Sequence, residues 1–228
     1  MELLVSPSSV EEAQYALAAD IIDVKKPSEG SLGANFPWVI RAIKEMTEKP
    51  VSAAIGDYAF LPGGASLAAY GAASAGADYI KVGLNFDGAE KARELIFAVV
   101  KAVKWQFPKK NVVIAAYADF ERMNTISPME MAPLAAEAGA DVAMIDTGIK
   151  DGKSLFDFLD ISALGEFTDI NRSMNIRTAL AGSLKFGDIA PLKEIAPEII
   201  GVRGMVCGGD RSDSLRVELV EKAMAMVR

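Results

Sequence analysis

Short apolar runs rich in β-formers alternate with longer Ala-rich stretches of helical period along the whole chain. Leu3-Leu4-Val5 is the first run. A helix is predicted to open at Ser8-Ser9, where a serine can cap and Glu11 and Glu12 sit in the first turn. Asp20-Ile21-Ile22-Asp23-Val24-Lys25 follows, then a Gly-rich loop and a helix running through Trp38 to Met46, with Asn35 expected as its cap and Pro37 tolerated in its first turn. Further strands are predicted at Val51 to Ile55, Tyr79 to Leu84, Val112 to Tyr117, Val142 to Asp146, Arg177 to Ala181 and Ile199 to Val202, and a helix over Ser214 to Val227 closes the chain. Gly-Ala-Asp recurs before two strands, at residues 76–78 and 139–141, where glycine can end a helix in the left-handed conformation.

About eight strand–helix units with no linker between them match a single α/β domain over residues 1–228, a (β/α)8 TIM barrel. Most strands are apolar at nearly every position, as required when the barrel interior covers one face and helices the other. A doubly wound open sheet is the main rival, but it usually carries a glycine-rich phosphate loop after strand one, and Ser6-Pro7-Ser8-Ser9 has no glycine.

Composition narrows the chemistry. Of 228 residues 51% are hydrophobic, enough for a large core and against disorder. The net charge of −7 disfavours nucleic acid as a partner. With no histidine, imidazole acid–base catalysis, His-activated nucleophiles and His-ligated metal are excluded, so the work falls to Lys, Asp, Glu or Tyr. The one cysteine, Cys207, cannot form an internal disulfide or a metal cage and reads as a small packing residue. The segment MELLVSPSSVEE has neither a basic region nor a cleavage site, and no apolar run approaches the ~20 residues of a membrane span. A cytoplasmic protein without a membrane partner is expected. The Ala-rich helix faces suit intramolecular packing and subunit contacts alike, which leaves a homo-oligomer open.

Barrel enzymes build their sites at the C-terminal ends of the strands. Asp23 and Lys25 stand two apart at such an end and so point to one side. Lys81 lies inside the apolar run Tyr79-Ile80-Lys81-Val82-Gly83, Asp146 ends its strand, and Lys150 follows on the loop. Each alone could be a strand-end salt bridge. Together they form a cluster in which ammonium groups repel one another and lose solvation, which lowers a lysine pKa and frees an amine to attack a carbonyl. After the seventh and eighth strands come Gly182 and Ser183, then Gly204, Gly208 and Gly209, in the two loops with which barrels commonly hold phosphate. Ordinary turn glycines are the alternative. The implied ligand is a phosphorylated carbonyl compound. Gly148 to Ser154 resembles a nucleotide-binding loop, but three residues separate its glycines where four are needed. Asp119 and Glu121, at the end of the fifth strand, could serve as acid–base groups or begin a solvated loop, and the loop is the favoured reading.

The run Asp23-Val24-Lys25-Lys26-Pro27-Ser28-Glu29-Gly30-Ser31-Leu32-Gly33-Ala34-Asn35-Phe36-Pro37-Trp38 resembles the signature of the (5-formylfuran-3-yl)methyl phosphate synthase family. The likeness extends over the rest of the chain, through Tyr79 to Leu84, Asp146-Thr147, Lys150 to Lys153, Ala181 to Ser183, Gly201 to Gly204 and Gly209 to Arg211. The resemblance implies a barrel that joins two molecules of glyceraldehyde 3-phosphate into a phosphorylated furan aldehyde for methanofuran-type cofactor biosynthesis, with no external cofactor; the residues themselves offer no metal site. It also implies that Lys25 is the Schiff-base lysine, Lys81 the proton acceptor, and Asp23, Asp146 and Lys150 supporting acid–base and charge-balancing groups.

Overall fold

The computed structural model describes residues Met1–Arg228. Eight parallel strands run β1 (Glu2–Val5), β2 (Ile21–Val24), β3 (Val51–Tyr58), β4 (Tyr79–Leu84), β5 (Asn111–Tyr117), β6 (Val142–Asp146), β7 (Arg177–Leu180) and β8 (Ile199–Val202). They pair in sequence order and β8 closes onto β1, with Leu3 opposite Ile200 and Val5 opposite Val202. The fold is the expected (β/α)8 barrel. Its helices are α1 (Val10–Ala13), α2 (Pro37–Glu45), α3 (Pro62–Ala75), α4 (Ala89–Lys104), α5 (Phe120–Met123), α6 (Pro128–Glu137), α7 (Ile161–Ser173), α8 (Ile189–Ile195) and α9 (Val217–Val227). None of them is long and apolar enough to cross a membrane.

Strand alternation splits the core in two. Outward residues such as Leu3, Ile22, Val24, Ile80, Val82 and Ile145 pack with the helices in one large cluster. Inward residues such as Leu4, Ile21, Tyr79, Val113, Met144 and Ile199 fill the barrel in a smaller one. The same period-two alternation makes Asp23, Lys25, Lys81 and Asp146 inward positions, one or two steps above apolar neighbours on their own strands.

The Gly-Ala-Asp sequences do more than stop helices. Gly76 ends α3 at φ 116° and Gly139 follows α6 at φ 80°. Asp78 then accepts from Val51 N at 2.9 Å and Asp141 from Val112 N at 2.7 Å, so each acid caps the start of the preceding strand. Lys44 and Lys104 balance these carboxylates at 2.9 and 2.8 Å.

Two local expectations are corrected. Asn35 does not cap α2, whose N-cap is Phe36 without a side-chain bond. Its Nδ2 instead donates to Ser8 O at 2.8 Å and ties the β2–α2 loop to the β1–α1 loop. Asp119 is buried rather than solvated, and accepts from Gly148 N at 2.7 Å and Ile149 N at 2.9 Å, which fixes the loop carrying Lys150. Glu121 is exposed on α5.

Candidate active site

At the C-terminal end of the barrel lies a cavity of about 730 Å³, floored by Leu4, Met144 and Gly201. That volume suits a ligand of small-molecule size. All ten residues singled out in the sequence, Asp23, Lys25, Lys81, Asp146, Lys150, Gly182, Ser183, Gly204, Gly208 and Gly209, line it.

Two of the three lysines are paired. Lys81 Nζ donates to both carboxylate oxygens of Asp23 at 2.8 Å, and both side chains are essentially inaccessible. Asp23 also accepts from Ser52 Oγ at 2.7 Å and from Ser6 Oγ at 2.8 Å, so every strong acceptor direction of the buried carboxylate is used. Burial alone would raise its pKa, but the charges of Lys81 and Lys25 and these hydrogen bonds outweigh burial and hold it below the usual carboxylate range. Lys150 Nζ donates to Asp146 Oδ1 at 2.7 Å and to Thr147 Oγ1 at 2.9 Å. Asp146 is likewise held low against its burial, by Lys150 first and Lys25 second.

Lys25 is different. It is 7% exposed, and its Nζ makes neither a hydrogen bond nor an ion pair. Burial pushes its pKa down; Asp146 and Asp23 pull it up, Lys81 and Lys150 push it further down, and it settles at about 8 against an ordinary 10.5. Three amines face two carboxylates, so Lys25 is the amine whose proton the site leaves unbalanced. At pH 7 about one molecule in ten would carry it neutral, against about one in three thousand for an ordinary lysine. An uncharged primary amine lining a cavity is a nucleophile for carbonyl carbon.

The glycines serve unequal purposes. A Cβ on Gly182, at φ 116°, would stand 2.9 Å from Thr147 Cγ2, so this glycine lets the end of β7 approach the end of β6. Ser183 follows in a left-handed conformation at φ 49°, an uncommon state for a residue with a side chain. Gly208, at φ 88°, closes the 3-10 turn Gly204–Cys207, and Arg216 lies where its Cβ would be.

Several residues escaped sequence reasoning. Arg203, at the end of β8, uses all five guanidinium N–H groups: on Ser6 O at 2.6 Å, Glu12 at 3.0 and 3.2 Å, Arg211 O at 2.7 Å and Asp213 O at 3.2 Å. It thereby straps the β8–α9 loop onto β1 and onto Ser6, a partner of Asp23. Asp57, beyond a bulge in β3, accepts a short hydrogen bond from Tyr117 and holds Leu32 N at 3.1 Å. With Ser31 Oγ donating to Thr147 O at 2.8 Å, this folds the β2–α2 loop over the barrel and places Leu32 in its interior. Ser52 at an inward strand position was the one visible signal. The Arg203 and Asp57 partnerships had none.

Fold and site together define a (β/α)8-barrel enzyme whose polar groups are lysines and aspartates. The family model for 4-HFC-P synthase matches residues 3–224. Among curated relatives named (5-formylfuran-3-yl)methyl phosphate synthase, that of Methanosarcina mazei is 57% identical over 99% of this chain and 98% of its own, and that of Archaeoglobus fulgidus 52% identical over 100% and 99%. The chain belongs to the 4-HFC-P synthase family and is a synthase. Solved barrels share the fold at low identity. A 3-hexulose-6-phosphate synthase superposes with TM-score 0.69 at 22% identity over 100% of both chains, and the orotidine 5'-monophosphate decarboxylase of Methanocaldococcus jannaschii with 0.69 at 15% over 100% of this chain and 98% of that one.

Proposed function

We propose that this synthase condenses two molecules of glyceraldehyde 3-phosphate into (5-formylfuran-3-yl)methyl phosphate, through an imine on Lys25, for methanofuran-type cofactor biosynthesis in the cytoplasm. The observation that carries the reading is the unpaired, buried amine of Lys25 beside two lysines that are already paired.

Neutral Lys25 adds to the aldehyde of the first triose. Lys81 donates its ammonium proton to the departing carbinolamine hydroxyl, which leaves as water and gives a protonated imine. Lys81, now neutral, takes the proton from the adjacent carbon, and Asp23 stabilises the ammonium that re-forms. The electron pair released at that carbon expels phosphate from the next one. The second triose isomerises to its ketone by a proton shift from C2 to C1, and the enol carbon adds to that C2 carbonyl while Lys150 and Asp146 balance the alkoxide, which leaves the C1 hydroxyl free to close the ring. Ring closure, dehydration and hydrolysis of the imine release the furan and restore Lys25. In sum, two triose phosphates give one furan phosphate, one inorganic phosphate and two waters. The loops with Gly182 and Ser183 and with Gly204 hold phosphate through backbone N–H groups, while Gly208 and Gly209, whose N–H groups turn back onto Gly204 O, shape the second loop around it.

Incubation with glyceraldehyde 3-phosphate alone should give a furan chromophore and inorganic phosphate in equal amounts. Borohydride added during turnover should attach a triose fragment to Lys25. Another sugar-phosphate aldolase would yield neither the furan nor stoichiometric phosphate, and an unmodified Lys25 would remove the imine from the mechanism.

A further inference from the structure

The β8–α9 loop carries two arginines in opposite states. Arg203 has a partner for each of its five N–H groups. Arg211 lines the cavity, and its guanidinium makes no hydrogen bond or ion pair with any protein group. Its Nη2 is sealed from solvent and still unpartnered. A guanidinium N–H sealed from water without an acceptor is costly, and the cost is removed when the partly buried side chain turns to present it to an anion in the cavity.

The backbone around Arg211 is fixed. Its carbonyl accepts from Arg203 Nε at 2.7 Å, Gly209 N donates to Gly204 O at 2.9 Å, and a Cβ on Gly204 would lie 3.9 Å from Arg211 Cβ. The neighbouring acid Asp210 is engaged by Ser212 through both its N–H, at 2.9 Å, and its Oγ, at 2.7 Å, and does not neutralise Arg211. Arg211 therefore stands beside the glycines of this loop as a free cation with a fork of donors, the geometry that matches a phosphate. We propose that Arg211 is the charged ligand of a substrate phosphate, gripping it with two guanidinium N–H groups next to Gly204 and Gly209. The proposal rests on the sugar-phosphate reading of the cavity and adds the residue that supplies its positive charge.

The test uses glycerol 3-phosphate, which cannot form an imine, and glyceraldehyde, which has no phosphate. Arg211→Met should weaken glycerol 3-phosphate binding, measured by titration calorimetry, by about 100-fold, the loss of two charge-assisted hydrogen bonds. Arg211→Lys should lose about 10-fold, since it keeps the charge but not the fork. Borohydride trapping of glyceraldehyde on Lys25 should be unchanged in both. Wild-type affinity in Arg211→Met overturns the proposal, as does failure of the wild type to bind glycerol 3-phosphate. Equal loss of glyceraldehyde trapping also overturns it, because Arg211 would then only hold the site's shape. If Arg211→Met fails to fold, Arg211→Lys decides by the same readouts. Failure to form a furan from glyceraldehyde 3-phosphate, with Arg211-dependent binding intact, overturns the condensation and leaves this assignment standing.

Discussion

Replacing Lys25 with methionine should make the protein more stable while abolishing imine formation. Lys25 titrates at about 8 in the folded protein against 10.5 for an ordinary lysine. The unfolded chain therefore binds more protons than the folded one between these two values, and stability rises with pH across that window. Below pH 8 the folded state bears the whole cost of the protonated amine. A difference of about 2.5 pKa units at ~1.4 kcal/mol each is about 3 kcal/mol. That figure already includes the attraction of Lys25 to Asp146 and Asp23, so removing the side chain does not forfeit it a second time. Methionine is of similar length, carries no charge and can fill the same space. Urea unfolding at pH 7 should show Lys25→Met more stable by about 3 kcal/mol, or about 10 °C in Tm for a chain of this size. The gain should shrink above pH 8 and vanish near pH 10.5. A variant no more stable than wild type at pH 7, or a gain that persists unchanged at pH 10.5, would refute the claim that the folded site strains against a charged Lys25.

The same titration sets the rate. With substrate below saturation, furan formation should climb about tenfold per pH unit below pH 8 and level off above it; a rate unchanged between pH 6 and 9 would show that amine deprotonation does not limit capture of the aldehyde. Asp23→Asn leaves the Lys81 ammonium buried without its counter-ion and should cost about 3–5 kcal/mol in urea unfolding. Adding Lys81→Met to that variant should recover a large part of the loss, and a double variant as unstable as the single would mean that packing, not charge, is at stake.

The sequence by itself determined the barrel and the inward set of polar residues. Strand alternation is local, so once Ile21, Tyr79 and Val142 belong inside, Asp23, Lys81 and Asp146 must follow on the same face, and parallel strands put them at one end. Who pairs with whom was decided only in three dimensions. Lys81 reaches Asp23 across 58 positions of sequence, and Arg203 reaches Glu12 across 191. Nothing local distinguished Lys25 from Lys81, since each stands in an apolar run two residues from another inward position. The amine left free is the one for which the closed barrel holds no carboxylate within reach. Asp57 was hidden for a related reason: the bulge after Ala54 shifts its register, and alternation counted along β3 does not anticipate its bond to Tyr117. Periodicity carries which face a side chain takes, because that follows from backbone geometry. Which charge meets its partner depends on contacts that exist only when the chain has closed on itself.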